Sequence, residues 1–110
     1  LLVLNSTLSR FYVRSTGNSI MFQNNLVANF ANTRGFTEQS KTNAPSFGNN
    51  AYFNCINLTS LADGNTQAVK YFDTDGRIVE KNPFKDADNG DFTLIDEDLI
   101  YYKNGDPRWY

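Results

Sequence analysis

Histidine is absent from the 110 residues, and this absence removes more chemistry than any residue present suggests. Without imidazole there is no Ser–His or Cys–His nucleophile, no His-ligated zinc and no usual proton shuttle near neutral pH. Any reaction would fall to carboxylates, Lys, Arg or Tyr. Cys55 is the single cysteine, which excludes an internal disulfide, offers no metal-ligand spacing and reads as a small apolar filler. Long apolar runs are also missing. Leu1 to Leu4 falls far short of a membrane span, and neither a basic stretch nor a cleavage site precedes it. Positive charge is sparse and scattered: ten Lys and Arg against twelve Asp and Glu give a net charge of −2, which argues against nucleic acid as a partner.

What remains is a chain rich in apolar residues (40%) and aromatics (15%), enough for one packed domain or one piece of a larger one. Short runs of strand formers appear at 1–4, 11–14, 19–22, 26–30, 52–56, 68–72, 77–79, 92–95 and 99–102. Turn signals separate them, among them Thr16-Gly17-Asn18, Asp63-Gly64-Asn65, Asp75-Gly76 and Asn104-Gly105. No helix of ordinary length emerges, so the chain is expected to be all-β. One helical turn is compatible with Thr37 to Ser40.

Three segments resemble one another: Val3-Leu4-Asn5-Ser6-Thr7-Leu8, Met21-Phe22-Gln23-Asn24-Asn25-Leu26-Val27 and Tyr52-Phe53-Asn54-Cys55-Ile56-Asn57-Leu58. Spacings of about eighteen and about thirty-one residues suggest coils of a solenoid, with the polar stretch 31–50 as a protruding loop. Asparagine occupies fifteen positions. It tolerates left-handed backbone and its amide bonds to neighbouring chain, so Asn24 or Asn25 is expected to bond to its equivalent in successive coils.

The closing quarter carries the most distinctive pattern: Asn82-Pro83-Phe84, an acidic linker, Gly90-Asp91-Phe92-Thr93-Leu94, then Gly105-Asp106-Pro107-Arg108-Trp109. It is similar to the C-terminal region of right-handed parallel β-helix proteins of the pectate-lyase-like superfamily. The similarity is greatest to uncharacterised C-terminal domains of surface lipoproteins from glycan-foraging bacteria. The resemblance covers 50–110 well and 1–30 as generic coils. It implies a right-handed parallel β-helix fragment, with coils over 1–81 and a C-terminal cap over 82–110. Leu1 to Leu4 as an apolar first coil then implies further coils or domains upstream. In that cap Phe84 and Phe92 would enter the core, while Trp109, Tyr101 and Tyr102 cover the last coil.

The carboxylate clusters carry little specificity. Asp86-Ala87-Asp88-Asn89-Gly90-Asp91 reverses the order of residues that a calcium loop needs, and Asp73-Thr74-Asp75-Gly76 is an ordinary turn. Asp96-Glu97-Asp98 does not specify the spaced pair that glycoside hydrolysis requires. No catalytic residues, metal ligands or cofactors are assigned. The solenoid pattern and the resemblance imply a non-catalytic polysaccharide-recognition or structural module, extracellular or on a bacterial cell surface. The candidate carbohydrate-binding residues are Arg34 in the stretch 31–50, Tyr12 on the neighbouring wall and Trp109 as a stacking ring. The alternative is the C-terminal part of a polysaccharide lyase or glycoside hydrolase.

Overall fold

The structure, a computed structural model, describes residues 2–4, 11–13, 20–30, 36–38, 45–60 and 71–110. Its strands are β1 (Leu2–Leu4), β2 (Phe11–Val13), β3 (Met21–Gln23), β4 (Leu26–Ala28), β5 (Phe36–Glu38), β6 (Ser46–Gly48), β7 (Ala51–Phe53), β8 (Arg77–Val79), β9 (Phe84–Asp86) and β10 (Asp91–Leu94). One short helix, α1 (Glu97–Tyr101), follows. Strands β1, β4, β7 and β8 lie in that order in a parallel sheet; β2 pairs with β5 and β3 with β6, also in parallel, and β9 pairs with β10 antiparallel.

The all-β expectation holds, but the right-handed parallel β-helix with a terminal cap is corrected. The sheets are short and separate: one has four strands, the others two each, and the last is antiparallel. The result is a small all-β domain built in layers about the four-stranded sheet. Its central strand β4 shows why. Leu26, Val27 and Ala28 are all fully buried, so both faces of the sheet are covered at this strand. Leu26 and Ala28, with Ala51 and Val79, pack against Phe84, Leu94 and Leu99. Val27, on the other face, joins Phe30, Phe36, Tyr52 and Leu58. Residues 82–110, expected to close the end of the chain's last coil, therefore cover a face of the sheet.

The stretch 31–50, expected as a protruding loop, supplies β5 and β6. Phe36 sits opposite Phe11, and Phe47 opposite Phe22. Phe36 and Phe47 then meet edge to face, with ring centroids 4.9 Å apart. The helical turn considered at Thr37 to Ser40 is strand at Thr37 and Glu38, and its remainder lies outside the described residues. Leu99 to Tyr102, expected as strand, falls mostly in α1, because Asp96 accepts hydrogen bonds from the backbone N–H groups of Asp98 and Leu99 and starts a helix there.

The expected asparagine bonding is present, at partners 25 residues apart. Asn49 Nδ2 donates to Asn24 Oδ1 (2.9 Å), Asn25 Nδ2 to Asn50 Oδ1 (3.0 Å) and Asn54 Nδ2 to Asn29 Oδ1 (2.8 Å). Asn24, Asn29, Asn49 and Asn54 all have φ between 51° and 60°, the left-handed region that asparagine enters at low cost. They bracket β4 and β7, turning the chain sharply before and after each strand.

Behind these corners lies a buried polar network. Asn50 Nδ2 donates to Phe22 O (2.7 Å) and Asp73 Oδ2 (3.0 Å), and the Tyr52 hydroxyl donates to the same Asp73 oxygen (2.7 Å). Asp73 is 3% exposed, so these donors replace water around its carboxylate. Gly76 makes room for the arrangement: a Cβ there would lie 2.5 Å from the Tyr52 ring.

Candidate functional site

The most exposed large side chains near ordered polar groups lie where α1 ends. Leu99 faces inward and is fully buried, whereas Tyr101 is 77% exposed and Tyr102 45%. Their rings pack edge to face with centroids 4.9 Å apart. The Arg77 guanidinium from β8 stands 4.0 Å from the centroid of Tyr102 and donates through Nη1 to Asn104 Oδ1 (2.7 Å). A cation over a tyrosine face stabilises by about 0.5–1 kcal/mol at exposed sites, so Arg77 helps hold this ring in place.

Asn104 anchors the whole corner. It is fully buried, and its Nδ2 donates to Asn49 O (2.6 Å) and Asn25 O (3.5 Å). Asn49 Nδ2 donates back to Tyr102 O (2.7 Å), and Gly105 N donates to Asn24 O (2.9 Å). The asparagine corners thus fix the backbone that carries the exposed tyrosines. Beside this platform runs an open groove of about 340 Å³, bordered by Arg77, Glu80, Lys81, Asp96 and Asp98. A second groove of about 360 Å³ lies across β8, with Tyr52, Cys55, Leu58 and Ile78 on its walls. Burial pushes the Cys55 thiol up from its usual pKa, and the carbonyls of Val27 and Phe53 both lie within reach of its one S–H, so this thiol is a poor nucleophile.

Of the residues predicted from sequence, Trp109 is half-buried, its ring 5.6 Å from that of Phe92, which in turn meets Phe84 at 5.5 Å. It serves the apolar layer over the sheet. Tyr12 is described by its backbone alone, on β2 opposite Thr37, and Arg34 lies outside the described residues. Tyr101 and Tyr102, expected to be covering residues, are the exposed ones. The helix start at Asp96-Glu97-Asp98-Leu99 was the available signal, since an N-cap with acidic first-turn residues fixes which later side chains share a face.

The acidic segments are occupied by local bonds. Asp86 accepts from Asn89 Nδ2, and the Thr93 hydroxyl and N–H groups hold the Asp91 carboxyl below its usual range. Among the described residues no group of three or more His, Cys, Asp or Glu is placed to hold a metal ion. Nor is any described helix long and apolar enough to cross a membrane. No curated protein and no solved structure matches the chain. The family described as "Domain of unknown function (DUF5123)" matches residues 2–109, nearly the whole chain, and the chain belongs to that family.

Proposed function

We propose that this chain is a non-catalytic polysaccharide-recognition module of a secreted or surface-attached bacterial protein, with Tyr101 and Tyr102 as its sugar-contacting platform. The observation that carries the reading is the exposure of Tyr101 beside a Tyr102 ring held by Arg77. A globular chain normally buries large aromatic surface, and an exposed, held pair next to amide, carboxylate and guanidinium groups suits the apolar face and hydroxyl rim of a pyranose. The resemblance to glycan-foraging surface proteins supports the same class of ligand.

The reading is tested by titrating a polysaccharide panel against the protein while assaying for reducing ends and unsaturated uronates. Saturable binding without product, weakened about fivefold or more by Tyr101→Ala, is the expected result, equivalent to at least about 1 kcal/mol. Product formation would replace recognition with catalysis. Undiminished binding by the variant would remove Tyr101 from the site.

A further inference from the structure

We infer that the polysaccharide this surface takes is neutral and not a uronate polymer; the inference rests on the recognition reading above and concerns which glycans that surface admits. The groove beside the platform carries three carboxylates, Glu80, Asp96 and Asp98, against two cations, Arg77 and Lys81. Arg77 is already engaged, its guanidinium over the Tyr102 ring and its Nη1 on Asn104. One oxygen of Asp96 is likewise spent on the N–H groups that open α1. The exposed groups of the groove left to meet a ligand are Glu80, Asp98 and Lys81, two negative charges and one positive, and the exposed Glu97 and Lys103 at the two ends of α1 add one charge of each sign.

Asp98 is three residues before Tyr101 and four before Tyr102, the spacing at which side chains near a short helix share a face. A sugar seated on Tyr101 therefore meets a carboxylate at its edge. Carboxylates accept hydrogen bonds from ring hydroxyls, and Lys81 donates to them, so a neutral sugar satisfies both kinds of group. A uronate residue sets a further negative charge beside Asp98 and Glu80, and the chain as a whole is already at −2. Like charges brought together at a binding surface repel, which predicts at least about tenfold weaker binding of uronate polymers than of the preferred neutral one.

Affinity electrophoresis tests this, with gels containing neutral glycans (galactan, arabinan, xylan, mannan, β-glucan) or uronates (polygalacturonate, alginate). The wild-type protein should be retarded by at least one neutral polymer and much less by uronates. High salt should narrow that difference by screening the repulsion. Glu80→Lys with Asp98→Lys should gain retardation by uronates; its melting temperature checks folding, and Glu80→Gln with Asp98→Asn serves if the lysine pair does not fold. Wild-type retardation by uronates as strong as by neutral glycans would overturn the charge argument while leaving the tyrosine platform intact. So would charge variants whose preference is unchanged. Retardation by none of the polymers would instead overturn the recognition reading beneath it.

Discussion

Around β4 and β7 the chain turns on asparagine, while between Pro83 and Tyr110 it turns on glycine, aspartate caps and aromatic contacts. In the first region β4 and β7 are each only three residues long, and their ends are set by the left-handed Asn24 and Asn29, Asn49 and Asn54, whose amides pair across 25 residues. In the second, Gly90 at φ 81° turns the chain between β9 and β10, Asp96 and Asp106 cap the short helical segments, and Phe84, Phe92 and Trp109 stack edge to face. The first region gains specificity from polar groups that fit only their partners. The second gains area: it lays an apolar layer on a sheet face that would otherwise be wet. The two meet at Asn104, where the tail's amide enters the asparagine corners.

The largest effect should come from breaking the apolar side of that comparison. Leu99 is fully buried and joins Leu26, Ala28, Ala51, Val79, Phe84 and Leu94 in one cluster. Leu99→Ala removes those contacts and leaves a cavity, at a cost of about 2–5 kcal/mol. Urea unfolding measures the loss, and amide exchange tells how it is distributed. Faster exchange throughout would mean that the two regions unfold together. If only residues 83–110 quicken while β4 and β7 keep their protection, the C-terminal layer is a separable unit.

A smaller effect is expected from the polar side. The Tyr52 hydroxyl donates to Asp73 inside the core, and Tyr52→Phe leaves that carboxylate with the Asn50 amide as its remaining side-chain donor among the described residues, a loss of about 1–2 kcal/mol near neutral pH. Burial first, then the bond to Asp73 and its negative charge, push the Tyr52 pKa far above the usual value of 10.0. The folded state thus holds Tyr52 protonated at pH values where the unfolded chain gives up the proton. The stability this provides is fully present below pH 10 and declines above it, by up to about 1.4 kcal/mol per pH unit. Cys55, also raised by burial, adds a similar decline to both proteins, so the difference between them isolates Tyr52. The advantage of wild type over the variant should therefore shrink between pH 10 and pH 11. A gap that stays constant over that interval would show that Tyr52 ionises equally in both states.

Part of this architecture was legible in the residues. Short runs of strand formers between turn signals pointed to an all-β chain, and the abundance of asparagine pointed to amide-bonded corners. The spacing misleads because the 25-residue step from β4 to β7 repeats two asparagine corners, one before and one after the strand. Phe22-Gln23-Asn24 resembles Tyr52-Phe53-Asn54, yet the first leads into β4 and the second leaves β7. Matching one kind of corner with the other gave unequal spacings and turned β5 and β6 into an imagined loop. Leu26-Val27-Ala28 did hold the clue to the layering: three apolar residues in succession leave no face for solvent. The candidate site was less legible still. Arg77 and Tyr102 are far apart in sequence, and only the parallel register of β8 together with the Asn104 anchor brings the guanidinium over the ring.

The finest test separates what an asparagine corner contributes through its backbone from what it contributes through its amide. Asn54 is exposed, has φ 52°, and donates to Asn29. Asn54→Gly keeps the left-handed turn accessible and deletes the amide bond, so it should cost about 0.5–1 kcal/mol. Asn54→Ala deletes the same bond but keeps a Cβ in left-handed backbone, now without the short polar side chain that eases asparagine there, so it should fall about 1–2 kcal/mol below the glycine variant. Thermal or urea unfolding of the two variants should place Ala below Gly by that increment. Equal losses would assign the corner's value to the bond with Asn29, and a Gly variant as stable as wild type would assign it to the backbone alone.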